Sequence, residues 1–245
     1  MLYLHQYKVV KIVFLCYNCV DCESMFTFST LNFKDGTLPM YRNFFKRLID
    51  IVLSSLGIIL LSPIFIILSI AICIDSPGPI FFKQKRVGIY KNHFNILKFR
   101  TMRTDTPSNM PTHLLEDPDK WITKVGGFLR KTSLDELPQI FNIFLGQMSI
   151  VGPRPALWNQ YDLIEERDKY GANDVLPGLT GWAQINGRDE LEIPLKAKLD
   201  GEYIERMSFA FDFKCFFSTF ISVLKSDGVV EGGTGALNDK EEINK

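Results

Sequence analysis

The uncharged run IVLSSLGIILLSPIFIILSIAICI, from Ile51 to Ile74 between Asp50 and Asp75, constrains this chain more than any other feature. As a helix it measures about 36 Å, enough to cross a hydrocarbon core of roughly 30 Å. It begins about fifty residues into the chain and outlasts the usual apolar stretch of about 7 to 15 residues, so it does not read as a cleaved signal peptide. It reads as a membrane anchor. Arg42, Lys46 and Arg47 precede it, and Lys83, Lys85 and Arg86 follow it. Basic flanks stay on the cytoplasmic side, so a single span would strand one of them. Near the middle, Pro63 of the Ser62-Pro63 pair lacks a backbone donor and clashes with the preceding turn, at about 3 kcal/mol in a straight helix. Together these features predict a re-entrant helix-break-helix over residues 40–76 that enters and leaves by one face.

Charge narrows the function classes. The 245 residues carry 28 basic and 28 acidic side chains, without the basic surplus that bulk electrostatic binding of nucleic acid requires. The balance is uneven: residues 1–104 hold 13 basic and 5 acidic side chains, and residues 105–245 hold 15 and 23. Between Ser76 and Thr104 lie Lys83, Lys85, Arg86, Lys91, Lys98, Arg100 and Arg103 with no acid among them. Such a stretch suits anionic lipid headgroups or a phosphorylated substrate.

Residues 1–39 read as an extension unlike the rest, and Met25 or Met40 is a candidate start of the functional protein. Cys16, Cys19 and Cys22 form C-x2-C-x2-C, but the fourth cysteine and the proline of an iron-sulfur run are missing. With Cys73 in the apolar run and Cys215 in an aromatic segment, no disulfide framework emerges, which fits a reducing cytoplasmic face. Residues 77–103 alternate apolar and polar side chains about Gly88, the pattern of a short strand pair. The loop-like stretch from Thr104 to Asp119 ends in Asp117-Pro118-Asp119, a D-x-D match that in a polar loop reads first as solvated acids.

Leu137, Ile140, Phe141, Phe144 and Leu145 form one helical stripe, with Ser133 and Glu136 spaced as a capping box before it. Asp135 and Glu136 then fall at a helix N-terminus, where the macrodipole favours ionised carboxylates; ordinary caps share this pattern. In Val151-Gly152-Pro153-Arg154-Pro155 two prolines restrict the backbone around an arginine suited to phosphate. The stretch PGLTGWAQINGR places Gly178, Gly181 and Gly187 around Trp182 and ends in Arg188, a loop whose backbone could approach a nucleotide. Phe209, Phe211, Phe213, Phe216, Phe217 and Phe220 mark a helix suited to a core or to the bilayer interface. The tail from Ser226 is Gly-rich and charged and reads as mobile. No GxxxxGK[ST] loop is present, which disfavours a kinase or ATPase.

SLDELPQ, VGPRP and PGLTGWAQINGR, in that order behind an apolar run with Ser-Pro, together with KFRTM at Lys98 to Met102, resemble the bacterial sugar transferases. These are the monotopic polyprenyl-phosphate phosphoglycosyl transferases, and the resemblance covers about residues 40–230. It implies transfer of a sugar 1-phosphate from a UDP-sugar to polyprenyl (undecaprenyl) phosphate at the cytoplasmic face of the bacterial inner membrane. UMP is released, as a first step of capsule, exopolysaccharide or glycoprotein assembly. By the same resemblance Asp135 is the nucleophile of a covalent intermediate and a magnesium ligand, Glu136 is its catalytic partner, and Arg130, Arg154 and Arg188 contact phosphate or nucleotide. Ser62 and Pro63 match the break of the re-entrant helix. Magnesium suits a carboxylate set better than zinc, since no HExxH motif or histidine cluster exists.

The expected architecture is α-rich α+β and monotopic. It comprises an extension (1–39), the membrane hairpin (40–76), a small cytoplasmic catalytic domain with interfacial helices (77–225) and a tail (226–245). Expected partners are the UDP-sugar, polyprenyl phosphate, membrane lipids, downstream glycosyltransferases and a second copy of the chain, with no nucleic acid. Residues 1–39 and the absence of further membrane helices depart from the long family members. A non-catalytic scaffold that binds nucleotide sugars is the rival from another class, and the intact Asp135-Glu136 pair weighs against it.

Overall fold

In a computed structural model, residues 40–106, 120–187 and 191–225 are described. The apolar run forms a single helix, α1 (Lys46–Asp75), preceded by a π-helical turn at Tyr41–Phe45. The expected break is not there: Pro63 lies inside continuous helix. The local reason is its neighbour. Pro63 cannot donate to the carbonyl of Ile59, and the Ser62 hydroxyl donates to that same oxygen at 2.8 Å. A serine hydroxyl thus satisfies the acceptor that the proline orphans, which is how membrane helices tolerate proline.

Most of α1 is exposed, but one side packs on the protein. Phe65 meets Phe99 and Phe141 at ring separations of 5.5 and 5.4 Å, and Leu61, Leu68 and Ile72 join the same cluster with Leu129 and Ile140. Gly57 leaves room for Ile140, whose Cδ1 would lie 2.5 Å from an added Cβ. Both ends are tied by hydrogen bonds. Asp50 accepts the Ile150 amide at 2.9 Å, Asp75 accepts the Val125 amide at 2.8 Å, and Arg47 donates to the carbonyls of Ile143 and Phe144.

The expected strand pair is the antiparallel ribbon β1 (Phe81–Val87) and β2 (His93–Phe99), turning at Gly88. Next come α2 (Lys124–Lys131), capped by Thr123 accepting from the Gly126 amide, and the short α3 (Gln139–Phe144). A second, parallel pair follows, β3 (Ser149–Val151) with β4 (Gly178–Thr180), with α4 (Tyr161–Asp168) lying between them in sequence. The chain continues through α5 (Trp182–Ile185) and α6 (Ile193–Arg206) to α7 (Phe209–Lys225). The described chain is therefore helix-rich α+β, as expected. The buried Arg167–Asp200 ion pair at 2.6 Å joins α4 to α6. Asp212 joins α7 to α1, to the turn before it and to α6 by accepting from Lys46, Tyr41 and Tyr203 respectively.

The α3 stripe is shorter than the sequence suggests. Leu137, Ile140 and Phe141 pack inward, whereas Phe144 and Leu145 are exposed because the helix ends there. Its buried polar member, Asn142, accepts the Leu97 amide and donates to the Asn95 carbonyl, bonding the edge of β2. The phenylalanines of α7 divide: Phe211 is buried, while Phe209, Phe213 and Phe217 stand exposed at successive helical turns.

Candidate active site

Glu136 and Asp135 sit in a single 3-10 turn, Leu134–Glu136, one turn ahead of α3. This corrects the capping box. Ser133 adopts a left-handed conformation (φ +55°) and its side chain caps nothing; only its carbonyl accepts the Glu136 amide, at 3.3 Å. The turn leaves the Glu136 side chain available to cations from elsewhere in the fold. Its Oε1 accepts from Lys98 at 2.8 Å and from Arg154 at 3.1 Å, and Lys98 Nζ also lies 3.7 Å from Asp135 Oδ2. Burial opposes ionisation of Glu136, but the charges of Arg154 and Lys98 overcome it and hold the carboxyl well below the usual carboxylate range. The Asp135 side chain is 14% exposed, partly sheltered beside a fixed ammonium.

Each of these groups is placed by a backbone feature. Lys98, next to last in β2, lies on the ribbon face that also carries Gln84 and Arg86, because directly opposed or alternating strand residues share a face. On that face Arg86 donates to Gln84 Oε1 and to the carbonyl of Pro155, next to Arg154. The Arg154 turn leaves β3 through Gly152, whose amide donates to the Thr180 carbonyl at 2.8 Å. Gly178 and Gly181 press on Gly152 so closely that an added Cβ at either would lie 2.1 Å from its backbone atoms. Gly178 and Gly181 thus let two backbone segments cross and fix the arginine turn. Arg130, on α2, donates to Thr101 at 2.9 Å, three residues beyond Lys98.

The structure thus brings Asp135, Glu136 and Arg154 together and anchors Arg130 at the end of the KFRTM stretch. Ser62 and Pro63 lie on an exposed part of α1. Arg188, Asp117 and Asp119, the three cysteines of the extension and the tail lie outside the described residues. Lys98 is a cation at the acid pair that the sequence does not single out. It was one of seven cations in a basic stretch, and its signal was its place in KFRTM; only the ribbon register turns it toward the acids.

Among the described residues no group of three or more histidine, cysteine or acidic side chains could hold a metal ion. Magnesium is commonly held by one or two protein carboxylates with substrate phosphates completing its shell. Lys98 and Arg154 both bond Glu136, and Asp135, with its side chain 14% exposed, is the other acid of the pair.

Two carboxylates, a lysine and an arginine thus form one partly sheltered cluster, on a domain built against a helix long and apolar enough to cross a membrane. The chain belongs to the bacterial sugar transferase family, whose sequence profile matches residues 41–226. It is 42% identical over 193 residues to the UDP-glucose:undecaprenyl-phosphate glucose-1-phosphate transferase of Escherichia coli K12, covering 76% of this chain and 41% of that protein. It is 38% identical over 185 residues to the uncharacterized sugar transferase EpsL of Bacillus subtilis, covering 75% of this chain and 89% of that one. Against the exopolysaccharide production protein ExoY of Sinorhizobium fredii identity is 34% over 197 residues, covering 75% and 87%. The match thus spans about two fifths of the first relative's length and nearly all of the other two.

Proposed function

We propose that this chain transfers a sugar 1-phosphate from a UDP-sugar to polyprenyl phosphate at the membrane surface, with Asp135 as the nucleophile. The observation that carries the reading is the Asp135-Glu136 pair with Lys98 between its carboxylates and Arg154 on Glu136. A relative whose name specifies glucose 1-phosphate transfer to undecaprenyl phosphate supports the same chemistry.

A carboxylate oxygen of Asp135 attacks the β-phosphorus of the donor. The bond from that phosphorus to the bridging oxygen breaks, and UMP leaves with the electron pair. A phosphate oxygen of the lipid then attacks the same phosphorus, Asp135 departs as a carboxylate, and the polyprenyl diphosphate sugar remains. Attack by one anion on another needs the repulsion between them offset, and fixed cations in a sheltered site do this without reorganising. Glu136 holds Lys98 and Arg154 in place for that purpose, and its depressed pKa keeps it anionic. Bound magnesium, held by Asp135 with the donor phosphates, would supply further charge neutralisation.

The two ends of α1 support entry from one face, the cytoplasmic one by the basic flanks. Asp50 and Asp75 are separated by about 37 Å of helix, yet both bond to the same domain. A perpendicular span would draw Ile150 and Val125 to opposite sides of the bilayer. The exposed Phe209, Phe213 and Phe217 of α7 fit the same surface.

The test is UMP release from a panel of UDP-sugars. Asp135→Asn removes the attacking charge at nearly constant shape, so turnover should fall by several orders of magnitude with folding intact. Wild-type protein without lipid acceptor should release UMP and gain one phosphosugar on the Asp135 peptide. Substantial turnover by the variant, or strict dependence of UMP release on the acceptor, would sink the two-step mechanism.

A further inference from the structure

Phe82 lies directly opposite Lys98 in the β1–β2 ribbon, so its ring stands on the face that carries the Lys98 ammonium and the Arg86 guanidinium. Opposed side chains of an antiparallel pair begin about 5 Å apart. The register therefore sets Phe82 beside Lys98, whose ammonium meets Asp135 and Glu136, and the residue is 48% exposed. A large aromatic face left half in water beside charges offers apolar area that the folded chain does not use.

Its neighbour Phe81 points the other way. Phe81 stacks on Phe99 at 5.6 Å, and Phe99 leans on Phe65 of α1 at 5.5 Å. Consecutive residues at the start of β1 thus lie on opposite faces of the ribbon, Phe81 toward the packing surface of α1 and Phe82 on the face that carries Lys98. The five residues between α1 and β1 are held firmly: Arg100 donates from its guanidinium to the carbonyls of Ser76 and Pro77 and from its amide to that of Ile80. Phe82 is fixed between the end of the apolar helix and the reacting groups.

A polyprenyl phosphate poses a specific problem at such a site. Its phosphate must reach Asp135 while most of its chain stays in the bilayer, so the isoprene units nearest the phosphate must cross the gap on some apolar surface. We propose that Phe82 is that surface, an acceptor-contact residue that holds the first isoprene units while Lys98 beside it faces the phosphate. The proposal rests on polyprenyl phosphate being the acceptor. A uracil ring could also stack on an exposed aromatic face, and the experiment separates the two.

The full chain in phospholipid nanodiscs is assayed as wild type, Phe82→Ala and Phe82→Leu, with undecaprenyl phosphate and the UDP-sugar varied separately. Phe82→Ala should raise the acceptor KM about tenfold with the donor KM unchanged, since loss of a partial apolar contact costs roughly one decade of affinity. Phe82→Leu should recover most of it. In parallel, the difference in emission between Phe82→Trp and wild type, which cancels Trp121, Trp158 and Trp182, should shift to the blue when undecaprenyl phosphate alone is added, and not with UMP. A rise in donor KM instead, unchanged kinetic constants, or a Trp emission insensitive to the acceptor would overturn the proposal. If wild type turned over no UDP-sugar, the proposed activity would fall, and the emission titration would still decide whether position 82 meets an isoprenyl phosphate.

Discussion

Helix α2 carries Gly126 and Gly127 side by side, and their replacement by alanine should have opposite effects. Neither has a positive φ, so helix propensity alone would make both changes favourable by about 0.8 to 1 kcal/mol. At Gly127 that expectation stands, because an added Cβ would meet only Ile122 Cγ2 at 3.8 Å. At Gly126 the Cβ would fall 2.0 Å from the carbonyl oxygen of Thr101 and 2.6 Å from its carbon. Relief requires α2 and the end of the ribbon to separate by about 1 Å, and overpacking of this kind costs about 1 to 3 kcal/mol. The net effect of Gly126→Ala is then a loss of up to about 2 kcal/mol, or roughly 4 to 8 °C in Tm at this chain size. The same movement stretches the bond from Arg130 to Thr101, and a displacement of about 1 Å near a reacting centre can cost about a hundredfold in rate. Thermal unfolding in detergent and UMP release, measured on both variants, check the prediction. Gly126→Ala matching Gly127→Ala in Tm and turnover would show that the contact with Thr101 does not position α2.

Asp200→Asn should cost about 3 to 5 kcal/mol, because it leaves Arg167 buried without its counter-charge; a Tm within 2 °C of wild type would contradict this. Cys215 has no exposed surface, and burial, aided by the nearby Asp212 charge, pushes its thiol up to about 11. With Cys16, Cys19, Cys22 and Cys73 replaced, it should resist a thiol reagent at pH 8 until the protein unfolds, and prompt labelling would refute the packing around it. Single cysteines at Asn43 and Lys91, in a background without the native five, should both resist an impermeant thiol reagent in intact cells. Labelling at one end only would establish a single span.

Features set by local pattern were legible in the sequence. The apolar run, the alternation around Gly88 and the stripe beginning at Leu137 each reflect a periodicity the backbone imposes within a few residues. The acid pair has the pattern of an ordinary helix cap, and it and the arginine between two prolines stood out through their order among the motifs of the sugar transferases. Pro63 misled, because the break it predicts depends on whether another group satisfies the Ile59 carbonyl, and the adjacent Ser62 does so. The capping box misled for a similar reason. Glu136 had the right spacing to cap, but two cations from distant segments offered its carboxylate stronger partners than a backbone amide.

By itself, then, the sequence determined that this chain carries a long apolar helix, a short ribbon and a turn bearing two acids, because hydrophobic periodicity and residue chemistry are local properties. Only the tertiary structure decided which cation meets those acids, since Lys98 and Arg154 lie 38 and 18 residues from Glu136 and are brought there by strand register and by glycines that let two backbones touch. It alone decided that both ends of the apolar helix belong to one domain, since the bonds of Asp50 to Ile150 and Asp75 to Val125 span 100 and 50 residues. Contacts across such separations depend on how the whole chain packs, and no window of neighbouring residues encodes them.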